Sequence, residues 1–352
     1  MKQIIAILTG FSILLLLTGC PGNSQFKYTS AYFPSSPQNL VDVNSAYDDY
    51  NSALPETHFG KQLIFSSNRY GYDNDFDIVG DNFHATWYME TGEFRVTNVW
   101  GGWQETAISD ILKEANTDQN EFAPYYISYR VDENMNRKFV LLYSTGSGDS
   151  SYKETFYYGL TDLNGNLKTI NGPVEISSLG DKNQQYVSFY GSEVESLDLW
   201  ELNPDDFTQM YFDKNTDGTS DIYKIDIPAD SPDFLSFLLD TAELHKDLIP
   251  ELNSNANDKC PFINGNMMVF TSDRSGGFGG YDLYYSFYNG LQWSEPVNFG
   301  EEVNSAYDEF RPVSIQVYEF KNDLMIFSSN RPGGQGGYDL YYVGIDKITT
   351  SE

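Results

Sequence analysis

Cysteine is nearly absent: 352 residues contain two, Cys20 and Cys260. One pair at most cannot staple a chain of this length, so a disulfide scaffold is excluded and stability has to come from buried apolar surface. Histidine is also scarce. His58, His84 and His245 are the only three, and none stands in a metal-ligand spacing such as H-E-x-x-H. No G-x-S-x-G nucleophile elbow occurs, and Cys260 has no activating neighbour in sequence, so the motifs supply no catalytic residue. Basic residues are outnumbered 51 to 21, for a net charge of −30. That removes the main electrostatic term for binding phosphate backbones, and nucleic acid is not an expected partner. Charged residues make up only 20% and aromatics reach 16%, which argues against disorder and for an aromatic-rich β protein.

The one long apolar run, Ile4 to Thr18, is short for a membrane span and fits the h-region of a secretory signal behind Lys2. It ends in Leu17-Thr18-Gly19-Cys20, which resembles the lipobox of bacterial lipoproteins. The resemblance implies cleavage before Cys20 and acylation of its thiol, with membrane attachment through those acyl chains. Residues 1–19 are then the signal, 20–25 a tether, and Cys260 an unpaired, buried thiol. The residues after Cys20 carry neither an Asp at the next position nor an acidic cluster, so the expected location is the outer membrane, facing the periplasm.

What the chain has in abundance is repetition. "IFSSNR" occurs at Ile64 to Arg69 and at Ile326 to Arg331, and "FTSDRSGGFGGYDLYY" (Phe270 to Tyr285) nearly repeats "FSSNRPGGQGGYDLYY" (Phe327 to Tyr342). An aromatic before each turn marks five units: Phe65, Tyr143, Phe212, Phe270 and Phe327. A second phrase, "VNSAYD" at Val43 to Asp48 and Val303 to Asp308, has a relative upstream of every marker. Each unit reads as about four short strands, the content of one propeller blade. The fold expected is an all-β propeller over residues 26–348 with a tail at 349–352, five blades being the main count and six the alternative. The stretch Phe26 to Phe33 is expected to close the last blade as its fourth strand, and a helical insertion is expected near 231–246, with a second short helix over Thr106 to Ala115.

The phrases "FSSNRPGGQGGYDLYY" and "VNSAYDEFRPVSI" resemble the TolB-type WD-like propeller repeat of bacterial envelope proteins. The resemblance implies a non-catalytic, lipid-anchored scaffold with an envelope protein partner, such as an outer-membrane or peptidoglycan-associated protein. A blade-building residue must recur in every blade, whereas a catalytic one need occur once. Arg69, Arg274, Arg331, Asp282 and Asp339 therefore read as structural, with the arginines paired to carboxylates such as Asp339 or one in a neighbouring blade. Function is to be sought where the repeats differ. In "YFDKNTDGTSDIY" the residues Asp213, Asn215, Asp217 and Asp221 have the spacing of a compact calcium loop, and equally that of an acidic hairpin turn. Trp87, Trp100 and Trp103 offer faces for stacking on sugar, or for packing within the blades, so a carbohydrate-binding propeller is one alternative to the scaffold. A glycoside hydrolase with two carboxylates at the central channel is another.

Overall fold

The structure is a computed structural model. It describes residues 31–53, 63–70, 75–81, 84–88, 91–97, 107–134, 136–146, 152–162, 164–180, 183–191, 202–315 and 320–347. The signal, the tether with Cys20, the tail, Trp100 and Trp103 lie outside these residues.

Five antiparallel sheets follow one another along the chain. Blade 1 has strands Asp49–Ala53, Leu63–Ser67 and Asp77–Asp81, and a separate hairpin, His84–Tyr88 with Glu93–Thr97, follows it. Blade 2 is Asn120–Arg130, Arg137–Gly146, Lys153–Thr161 and Leu167–Glu175. Blade 3 is Gln184–Tyr190, Gln209–Thr216, Thr219–Asp226 and Asp247–Leu248. Blade 4 is Asp258–Asn264, Met267–Ser272, Asp282–Phe287 and Val297–Asn298. Blade 5 is Glu309–Ile315, Asn322–Ser329 and Asp339–Asp346, completed by Gln38–Asn39 from the start of the chain. The first strand of each blade contacts the first strands of its two neighbours, so these five strands surround the axis.

The propeller expectation therefore holds at five blades, and the markers Phe65, Tyr143, Phe212, Phe270 and Phe327 all sit buried on second strands. Two boundaries differ. The strand that closes blade 5 is Gln38–Asn39; of the stretch expected there, Phe26 to Phe33, residues 26–30 lie outside the described residues and Tyr32 bridges Glu93 instead. Pro34 has no N–H to continue a ladder, and the Phe33 backbone is instead gripped by the Asn322 amide, which accepts its N–H and donates to its C=O at 2.8 Å. The insertion helix, α2, is only Phe234–Leu239. Asp233 caps it by accepting the Ser236 N–H at 2.7 Å. Asp240 ends it by turning its carboxylate onto the Ala242 N–H, the local bond by which Asp competes with helix. The other helix, α1 (Ala107–Ala115), lays Ile108, Ile111, Leu112 and Ala115 against the outer layers of blades 1 and 2.

The repeated phrases are joints. Arg69, Arg274 and Arg331 each pair with the acid that opens the inner strand of their own blade: Asp49 at 2.5 Å, Asp258 at 2.5 Å and Glu309 at 2.8 Å. Asp339 is not the partner. Asp339 and Asp282 instead accept N–H groups of the Gly-rich turn. Each arginine also donates to a loop carbonyl, that of Val43, Leu252 or Val303. The Asn of "VNSAYD" clamps the third strand of the preceding blade: Asn44 holds the backbone N–H and C=O of Leu340, and Asn304 those of Leu283. Asn116 on Ile78 and Asn253 on Ile222 do the same.

Within the turns, only Gly276 and Gly333 use positive φ, at 95° each. Gly279 and Gly336 are needed for space, since a Cβ there would lie 2.0 Å from the Tyr307 carbonyl oxygen and 1.7 Å from that of Tyr47. Gly279→Ala is expected to cost about 1–3 kcal/mol through backbone displacement. A thermal melt indistinguishable from wild type would contradict this account of the joint.

Candidate active site at the propeller axis

Every inner strand carries a β-bulge at the same place, two residues after Asp49, Glu121, Gln184, Asp258 or Glu309. The residues there are Asn51, Ala123, Tyr186, Cys260 and Arg311, all with φ between 48° and 61°, and each lies at a shift in register with the second strand. A bulge re-aims a side chain. Here it produces a ring of five residues, one per blade, all buried. The backbone N–H of a bulge residue donates to the adjoining blade: Asn51 to Ser328 Oγ at 3.1 Å and Arg311 to Thr271 Oγ1 at 3.2 Å.

At two of these joints the partner is a carboxylate. The Cys260 backbone N–H pulls on the charge of Asp213, and the Tyr186 N–H on that of Glu154. Strand register shows how far each acid departs from the repeat. Asp213 follows the marker aromatic of blade 3, where the other blades have Ser66, Ser144, Thr271 and Ser328. Glu154 pairs with Ser144 on the third strand of blade 2, and the residues at that register elsewhere are Ile78, Ile222, Leu283 and Leu340. Four blades thus complete this layer with an aliphatic side chain, and blade 2 puts a carboxyl there. The Asn clamp is missing at the same junction, where Leu179 stands five residues before Gln184.

Both acids are 3% exposed, and desolvation dominates their protonation. Burial pushes Glu154 up to about 8, raised further by Asp213 and opposed by the Ser144 hydroxyl at 2.5 Å, by Arg311 and by the Tyr186 N–H. Burial likewise lifts Asp213 to about 7 against the pull of Lys259 and Arg311. Arg311 is 0% exposed, the only fully buried cation among the described residues. Its Nη1 donates to the Pro261 carbonyl at 3.3 Å, while Nε and Nη2 have no hydrogen-bond partner in the protein; Glu154 Oε2 and Asp213 Oδ1 have none either.

Around the same layer runs a belt of aromatic rings. Tyr338, Tyr50, Phe76, Phe122 and Tyr152 follow one another from blade 5 to blade 2 with centroids 5.1–5.8 Å apart. Tyr281, Phe310 and Tyr186 continue it from blade 4 at 5.5 and 6.1 Å. Most of these rings are half-buried, and Gln185 and Lys259 stand half-buried on blades 3 and 4. A third acid, Glu121 of blade 2, keeps the place of Asp49, Asp258 and Glu309. No arginine sits four residues after its blade's marker, where Ser147 stands. Burial raises Glu121 to about 7.

These shifts fix the sign of a pH effect. Carboxyls that keep their protons to about 7–8 when folded, and lose them near 4 when unfolded, stabilise the fold most below the unfolded value. That stability is lost as pH rises through 7–8. Glu154→Gln and Asp213→Asn should therefore raise the melting temperature at pH 8.5 relative to wild type and leave it nearly unchanged at pH 5. Equal effects at the two pH values would show that the acids are not held protonated.

The other sequence candidates lie apart from one another. Asp217 (φ 54°) and Gly218 (φ 94°) form the two-residue tip of a hairpin, the conformation that an Asp-Gly pair favours. Asn215 Oδ1 accepts the Gly218 N–H at 3.2 Å. Asp213 lies down the strand at the axis, and Asp221 is held up by burial and by Asp258. Among the described residues no group of three or more His, Cys, Asp or Glu is placed to hold a metal ion. Trp87 lies on His84–Tyr88, opposite Phe94.

No family model matches this chain, and no curated protein matches it. It is similar in structure to the GH43 protein BlXynB from Bacillus licheniformis, at 8% identity over 89% of this chain and 55% of that one, TM-score 0.45. An alpha-L-arabinofuranosidase from Lactobacillus brevis gives 8% over 88% and 93%, TM-score 0.44. A xylan beta-1,4-xylosidase from Bacillus halodurans gives 6% over 89% and 56%, TM-score 0.46. The chain spans little more than half the length of the first and third. The assignment to the TolB-type repeat is corrected by this outcome: no family model matches, and these neighbours are by name a GH43 protein, an arabinofuranosidase and a xylosidase. The expectation of a non-catalytic scaffold went with that assignment and is corrected with it. At such identities and TM-scores the likeness assigns no residue and no activity to this chain.

Proposed function

We propose that the chain is a glycoside hydrolase whose acid and base are Glu154 and Asp213. The observation that carries this reading is the break in the repeat. Two carboxyls occupy buried positions that the other blades complete with aliphatic or hydroxyl side chains, and Asp213 lies close enough to Glu154 to raise its protonation. An unneeded buried acid costs stability, so its retention at one junction of five calls for a use.

Hydrolysis of a glycosidic bond needs one protonated and one ionised carboxyl. Between about pH 7 and 8 the pair holds a single proton, with Arg311 favouring the ionised member; the two values belong to the pair rather than to either residue. Glu154 gives its proton to the leaving oxygen as the C–O bond breaks. Ionised Asp213 takes a proton from the attacking water, or attacks the anomeric carbon itself. The aromatic belt supplies ring faces of the kind sugars stack on, and entry of a sugar ring requires the half-buried belt side chains to turn aside. Acylation of Cys20 would hold this activity at the outer membrane.

The test is a panel of chromogenic aryl glycosides at pH 7.5, with a glycan array beside it. Turnover of one class, lost in Asp213→Asn, is the expected result. No turnover and no glycan retained would overturn the proposal.

A further inference from the structure

The second singular feature of the axis is Arg311 itself. In the bulge ring the other four residues are Asn51, Ala123, Tyr186 and Cys260, so no structural rule of the repeat asks for a cation. A fully buried guanidinium is expensive unless its donors are used. Only Nη1 is used here, on the Pro261 carbonyl. Nε and Nη2, adjacent donors on one edge of the guanidinium, are fully buried and bond to nothing in the protein. Tyr186 and Phe262 flank the group, with Cζ 5.4 and 5.7 Å from their ring centroids, which fixes its orientation. The same edge pattern, two parallel N–H groups, matches the two oxygens of a carboxylate.

We infer that Arg311 receives a carboxylate of the ligand, so that the sugar bound at the axis is an acidic one, a uronic acid or a similar carboxylated residue. This rests on the hydrolase reading only for what happens after binding. The two neighbouring carboxyls do not cancel the arginine below neutrality, because burial keeps them protonated. The surface charge of −30 does not forbid an anionic ligand. Exposed charges are screened beyond about 8 Å at physiological ionic strength, whereas a desolvated arginine acts at contact.

The experiment is calorimetric titration of the full protein at pH 6.5 with D-glucuronate, D-galacturonate and N-acetylneuraminate, each beside glucose and galactose. At least one acid is expected to bind ten-fold or more tightly than either neutral sugar. Arg311→Lys keeps the charge but loses the paired donors, and should abolish that preference. Equal binding of acid and neutral sugars, or binding of neither, overturns the inference even if Arg311→Lys does not fold. Cleavage of neutral glycosides without preference for acidic ones overturns it and leaves the hydrolase reading standing. Arginine-dependent binding of an acid without any glycoside cleaved supports it and removes the hydrolase reading.

Discussion

Glu154→Gln should lower kcat on the responsive glycoside by about 10²–10⁴-fold, the usual worth of a positioned general acid. KM should change little, because the amide keeps the shape and the Ser144 contact. Stability separates this from a merely structural role. A buried structural acid, once neutralised, would leave activity intact, whereas a catalytic one leaves a folded protein that does no chemistry. The leaving group gives a further readout: a glycoside with an activated phenol needs less protonation, so the loss should shrink on it. An equal loss on activated and unactivated glycosides would move the acid role away from Glu154.

The second large effect is expected in the joints. Removing Arg331 leaves Glu309, 0% exposed and already raised by burial, without its counter-charge and with only hydroxyl and N–H donors around it. Breaking such a pair costs about 3–5 kcal/mol. Arg331→Ala should therefore lower the melting temperature by several degrees. Adding Glu309→Gln should recover much of the loss, since the uncompensated charge goes with it. Arg274→Ala should behave alike through Asp258. A double variant as unstable as Arg331→Ala alone would show that the arginine acts through its stacking over Phe327 and Tyr341, at 5.2 and 5.1 Å, and not through the ion pair.

How far the sequence could be read depends on period and register. The five markers are buried aromatics of second strands, and burial in every blade forces the same residue type at the same place. The blade count was visible for that reason. Arg69, Arg274 and Arg331 were recognisable as joints because they recur, but their partners were not, since pairing with Asp49, Asp258 and Glu309 is a property of three-dimensional closure. The spacing of Asp213, Asn215 and Asp217 suits oxygens around one ion equally well as oxygens spread along a strand. With a rise of about 3.4 Å per residue, Asp213 is carried well below the exposed tip. Glu154 was harder still. In "SYKETFYYG" it stands beside Lys153 and reads as one polar position of an alternating strand. Only its register opposite Ser144 shows that it fills the column of Ile78, Ile222, Leu283 and Leu340. A signal was nevertheless present: in the upstream phrases, the residue two places after the opening Asp, Glu or Gln reads Asn, Ala, Tyr, Cys and Arg. A repeat column with five different residues is where the blades stop obeying a common rule.

The central claim is that Glu154 and Asp213 share one proton in the working state. The pH dependence of kcat/KM for the wild-type protein tests it most directly. A bell with limbs near 7 and 8 is expected. A rate that levels off from pH 5 to pH 9, or a bell centred near 4 to 5, would place the chemistry on other groups and contradict it.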